Sequence, residues 1–214
     1  MIRNVLVFDF DFTISNSSRV GMEVFNKYAK KFYLPEMTME KVKIAINQDP
    51  IIAIKSLGLH WWNLPFFLYF VKREIGNRIL ELELYDGMKE LLIELKNEGF
   101  KLIVLSSNNK INIEKFLKNH GLNCFDHVLE SDIFGKAGVL NKFLFKYDID
   151  RGNVLMIGDE IRDFQASQKI GCPIALFDWG LSSRENLIRV GAKHIASNLG
   201  EMRNLIEIIS QEKN

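Results

Sequence analysis

The chain has 214 residues, 47% hydrophobic and 26% charged, which is enough apolar material for one domain with an insertion or for two small domains. Its 28 basic and 27 acidic residues leave a net charge of +1, so no global field draws it to nucleic acid or to an anionic membrane. The N-terminus lacks the length and cleavage site of a signal peptide, and the most apolar later window, Trp61 to Val71, is interrupted by Asn63 and Pro65 and is too short for a bilayer.

A cytoplasmic protein is therefore expected. Cys124 and Cys172 lie far apart, match no zinc spacing, and read as buried free thiols in a reducing compartment.

In chain order, the first element is an apolar run, Val5-Leu6-Val7-Phe8, that ends in Asp9-Phe10-Asp11-Phe12-Thr13. Such a run reads as a strand buried on both faces. In extended backbone, i and i+2 side chains point the same way, so Asp9 and Asp11 leave the strand end together. Two carboxylates there repel each other unless a hard divalent cation such as Mg²⁺ sits between them.

From Ser17 to Glu83 the period is helical. Val20, Val24, Tyr28 and Phe32 mark a first helix that Pro35 closes. Met39–Ile46, Ile51–Leu57 and Leu64–Arg73 are further helices, with Ile75–Leu82 as a continuation of the last. Residues 15–83 thus form an all-helical insert.

Beyond it, strands and helices alternate. Asp86 is placed to cap a helix with apolar face Met88, Leu91, Leu92 and Leu95, and Gly99 ends it. Strand Leu102–Leu105 precedes Ser106, Ser107 and Asn108, then a helix over Ile111–Asn119. Strand His127–Leu129 precedes Gly135 and Lys136 and a helix to Lys146. Strand Val154–Ile157 leads into Gly158-Asp159-Glu160-Ile161-Arg162-Asp163, which opens a helix ending at Gly171. Strand Pro173–Phe177, helix Ser183–Val190, short strand His194–Ala196 and helix Leu199–Ile209 complete the chain.

This alternation predicts an α/β fold: a mainly parallel sheet with helices on both faces, built from residues 1–14 and 84–214. Ligands of such sheets bind beyond the carboxyl ends of the strands. Asp9, Asp11, Ser106, Asp159 and Asp163 all fall at those ends.

A carboxylate can attack phosphorus directly, provided the charge of the phosphomonoester dianion is neutralised. Asp9 is then the candidate nucleophile and Asp11 the general acid and base. Asp159 is a candidate Mg²⁺ ligand, and Asp163 lies one helical turn further on. Ser106 offers a hydroxyl, and the N–H groups of Ser107 and Asn108 lie where a helix start favours an anion. Lys136 is a candidate to hold the phosphate. Each residue has a plainer alternative: Asp159, Ser106 and Ser107 as helix caps, and Lys136 as a solvated cation.

With these residues in place, the chain resembles the haloacid dehalogenase superfamily, closest in layout to its phosphoglycolate phosphatase-like group. Asp9 to Thr13 matches the first motif, Val104-Leu105-Ser106 the second, Lys136 the third, and Gly158-Asp159 through Asp163 the fourth. The resemblance implies a Rossmann-like three-layer core with a helical cap over residues 15–83. It also implies a phosphatase acting on a small phosphorylated metabolite, as a monomer or homodimer. Mg²⁺ would be held by Asp9, Asp159 and the backbone oxygen of Asp11, and Thr13, Ser107 and Asn108 would meet the substrate phosphate.

Phe12 stands where the family usually has glycine, so a bulky residue must follow an unusual backbone path there. Alternatives are a phosphomutase of the same superfamily, or a non-catalytic binding module, to which Phe12 is the only pointer. Trp61, Trp62, Phe66, Phe67, Tyr69 and Phe70 read mainly as the insert's own core, or otherwise as an apolar substrate pocket or dimer surface. Lys72, Arg73 and Arg78 read as a solvated face, or otherwise as partners for a second anionic group.

Overall fold

Residues 4–46, 58, 62–132 and 135–212 are described by the structure, a computed structural model. The strands in chain order are β1 (Val5–Phe8), β2 (Ser15–Asn16), β3 (Glu83–Leu84), β4 (Lys101–Ser106), β5 (His127–Glu130), β6 (Val154–Gly158), β7 (Ile174–Phe177) and β8 (Ile195–Ala196). The helices are α1 (Ser18–Lys31), α2 (Met39–Ile46), α3 (Leu64–Asn77), α4 (Met88–Asn97), α5 (Lys110–Asn119), α6 (Lys136–Lys146), α7 (Ile161–Ile170), α8 (Arg184–Arg189) and α9 (Leu199–Gln211).

Among the described residues, six strands form one sheet in the order β5-β4-β1-β6-β7-β8, with every pairing parallel. β1 lies between β4 and β6, so strand order reverses around it and its carboxyl end faces the crevice that parallel sheets use for ligands. Its alternation feeds two separate cores. Leu6 and Phe8 pack with residues of α4, α5 and α9, whereas Val5 and Val7 pack with residues of α6, α7 and α8. The result is the expected three-layer α/β fold.

Between β1 and β4 lies the helical insert. Phe67 of α3 is buried edge-on against Phe25 and Phe32, with ring centroids 5.0 and 5.5 Å away, and Phe70 stacks on Tyr28 of α1. These aromatics are core, as expected. Trp62, Phe66 and Tyr69 are exposed instead.

Some details differ from expectation. β2 and β3 pair antiparallel and tie together the two ends of the insert; two residues each are too few to show a period in sequence. α4 is capped by Gly87 in the left-handed region (φ 82°), not by Asp86. α3 runs to Asn77 and a separate 3₁₀ turn, Ile79–Glu81, follows. The predicted helix Ile51–Leu57, like Trp61, lies outside the described residues.

Candidate functional site

The end of β1 is held at the carboxyl edge by the N–H of Asp9, which donates to Ile157 O on β6 at 2.8 Å. The chain then turns sharply. The N–H groups of Ile14 and Ser15 both bond to Phe10 O, and Phe12 takes the left-handed conformation at φ 60°. A side chain there costs about 1–2 kcal/mol. Trp179 offsets part of this: its indole N–H donates to Phe12 O at 3.0 Å, and its ring stacks between Phe177 and Tyr85.

Asp9, Asp159 and Asp163 converge, all buried, each with a carboxylate oxygen within 4.8 Å of the others'. Lys136, at the first turn of α6, reaches into them, with Nζ 2.9 Å from Asp9 Oδ1 and 2.6 Å from Asp163 Oδ1. Its side chain is only 11% exposed, so it is not a solvated cation.

Burial pushes the Asp9 carboxyl up to about 7, with Lys136 working against that rise. Burial and the neighbouring Glu160 and Asp9 charges hold Asp159 well above the ordinary carboxylate range. Lys136 is raised too: burial alone would lower it, but Asp163 and Asp9 outweigh that.

Both Asp163 oxygens are committed. Oδ1 takes Lys136, and Oδ2 accepts the N–H groups of Asp159 and Glu160 at 3.2 and 3.1 Å. Asp163 thus braces the loop that presents Asp159. Asp159 caps no helix; its Oδ1 accepts the Thr13 hydroxyl at 2.9 Å and its Oδ2 the Leu181 N–H at 2.9 Å. Thr13, expected on the phosphate, is instead fully buried with its hydroxyl on Asp159.

Asp11 stands across the turn. Ser17 Oγ donates to its Oδ1 at 2.7 Å and Asn108 Nδ2 approaches Oδ2 at 3.5 Å, while burial still raises its carboxyl. Ser106 is buried, and its Oγ accepts the Asn108 N–H at 3.0 Å, leaving the hydroxyl proton free to donate elsewhere. The Asn108 N–H, expected on an anion, is therefore occupied. Asn109, not Ser106 or Ser107, caps α5.

All-oxygen donors, buried together and faced by one ammonium, are a set that could hold a hard divalent cation. Glu160 and Arg162 also reach this edge, joined by guanidinium bonds of 2.7 and 2.8 Å, and the sequence reading assigned them nothing. Their place within the acidic fourth segment was the available signal. Nothing local marks Trp179, which meets Phe12 from 167 residues away.

A family model described as haloacid dehalogenase-like hydrolase matches residues 6–177. The chain belongs to that family. Within it, the chain is 28% identical over 185 residues to a phosphoglycolate phosphatase of Synechococcus elongatus, covering 86% of this chain and 87% of that one. It is 22% identical to pyrophosphatase PpaX of Bacillus mycoides, covering 97% of each. Among solved structures, a predicted phosphatase from Clostridium acetobutylicum superposes with a TM-score of 0.83 at 21% identity, covering 97% of this chain and all of that one. A haloacid dehalogenase-like family hydrolase from Streptococcus pneumoniae gives 0.80 at 18% identity, covering 96% and 98%; both likenesses concern the fold. The expectation of a phosphatase enzyme of this family stands.

Among the described residues, no helix is long and apolar enough to cross a membrane.

Proposed function

We propose that the protein is a Mg²⁺-dependent phosphatase that hydrolyses a small phosphomonoester through a phosphorylated Asp9. The observation that carries this reading is the convergence of Asp9, Asp159, Asp163 and Lys136 at the carboxyl end of β1, with Asp11 and Ser106 beside them.

Asp9 and Asp159 would hold the cation with the backbone oxygen of Asp11, while Asp163 braces the loop. Bound there, a divalent cation supplies the positive charge that lets a phosphate dianion approach a carboxylate. Asp9 attacks phosphorus as its P–O bond to the alcohol breaks. Asp11, whose carboxyl burial raises, gives a proton to the leaving oxygen and then takes one from the attacking water. Ser17 and Asn108 fix its direction. Lys136 and the Ser106 hydroxyl face the charge that develops on the phosphoryl oxygens.

The helical insert acts as the cap, residues 15–83, and the core comprises 1–14 and 84–214. Its α1 and α3 stand over the carboxylates and would exclude water from the reaction. Phosphoglycolate, the substrate named for several relatives, is one candidate. Phe12, the one pointer to a non-catalytic module, takes the left-handed path that the turn requires, so it gives that alternative no support.

The test is hydrolysis of an aryl phosphate with and without Mg²⁺, by wild type and Asp9→Asn. Turnover that needs both the metal and Asp9 is expected. Equal background rates in all four arms would sink the proposal.

A further inference from the structure

A cavity of about 460 Å³ opens between the insert and the carboxylate edge. Its floor carries Asp11, Ser107 and Asn108, so it is continuous with the phosphoryl site. Its other walls are mostly apolar: Phe12 and Leu181 from the core, and Leu68, Tyr69 and Ile75 from α3. Leu68 and Tyr69 are 39% and 58% exposed, whereas Phe67 and Phe70 of the same helix pack inward. They face this open space, and burying them there is favourable only against an apolar group.

The charges lining the cavity point the same way. Arg162 is matched by Glu160 through two guanidinium bonds, so its charge is neutralised before a substrate arrives. Lys72 is exposed and makes no hydrogen bond or ion pair among the described residues. Lys72 acts on Asp11 electrostatically, and one exposed lysine is a weak anchor for a second anionic group. A space of this size accepts a leaving group much larger than two carbons.

Resting on the phosphatase reading above, we propose that the enzyme selects phosphomonoesters whose alcohol carries an apolar body of about six carbons or more, held against Phe12, Leu68, Tyr69, Ile75 and Leu181. A short anionic alcohol such as glycolate leaves that wall uncovered. Burial of each added methylene, about 0.8 kcal/mol, corresponds to at most about fourfold in kcat/KM.

The experiment compares ethyl, butyl and hexyl phosphate, whose alcohols differ little in leaving ability, with phosphoglycolate in the presence of Mg²⁺. Expected are a rise in kcat/KM of about tenfold or more from ethyl to hexyl phosphate, and a phosphoglycolate value below that of hexyl phosphate. Leu68→Ser and Tyr69→Ser should flatten the rise. Calorimetry provides a readout free of chemistry: hexylphosphonate should bind Mg²⁺-loaded protein more tightly than ethylphosphonate, by a similar factor.

A flat series in both assays, or phosphoglycolate preferred by tenfold, overturns the inference while leaving the phosphatase reading intact. Absence of any Mg²⁺-dependent hydrolysis, including that of an aryl phosphate, overturns both.

Discussion

Lys136→Met removes the ammonium from the acidic cluster while keeping most of the side chain's length. The ammonium touches Asp9 and Asp163 at 2.9 and 2.6 Å, and those carboxylates are only 7% and 1% exposed. Removing one member of a buried ion pair costs about 3–5 kcal/mol, because a charge is left without compensation. Asp9 limits that loss, since its carboxyl, already raised to about 7, can take up a proton. The lower end, about 3 kcal/mol, is therefore expected, and for a chain of this size it lowers Tm by roughly 6–12 °C.

The sign with pH follows from Lys136 being raised above its ordinary value. Its own stabilisation is fully present below that value, and because Lys136 also holds Asp9 down, the difference from wild type grows as pH rises through about 7 and Asp9 ionises. Catalysis should suffer more. Lys136 holds Asp9 down against its burial, so without it less Asp9 is ionised at neutral pH. The acid limb of the kcat/KM profile should move upward by about one pH unit, and kcat should fall by about 10²–10³. Lys136→Arg keeps the charge and should recover part of both. The assay is aryl phosphate hydrolysis from pH 5 to 9, alongside thermal denaturation. Activity within tenfold of wild type, with an unmoved acid limb, would refute the charge balance argued for this site.

Asp9 and Asp159 are both raised, so the metal-free protein should lose stability as pH rises through about 7, and Mg²⁺ should raise Tm more at pH 8 than at pH 5.5. Thermal shifts with Mg²⁺ and with chelator check this, and equal shifts at both pH values count against it. In Gly180→Ala the new methyl would stand 2.1 Å from Asp159 Oδ2 and 2.3 Å from its Cβ, so Asp159 must move. Activity should drop about 10²-fold, with a raised Mg²⁺ requirement seen by titration; an unchanged titration argues that Asp159 is no ligand. Trp179→Phe keeps a ring but loses the bond to Phe12 O, so stability should fall by about 1 kcal/mol in urea denaturation. No change there would mean the indole does not hold the turn.

Short-range geometry accounts for the features legible residue by residue. Four apolar residues before Asp9 made a buried central strand that delivers Asp9 to its carboxyl end. Strand and helix periods gave the α/β alternation, and with it the edge where Asp159 and Ser106 gather. Tertiary structure decided which polar groups meet there. Lys136 became the partner of Asp9, Thr13 turned its hydroxyl inward to Asp159, and Trp179 came to anchor Phe12. A side chain's period is set by its own backbone and is visible locally. The partner of a hydrogen bond is chosen by how distant elements pack, and no residue's neighbours in sequence record that choice.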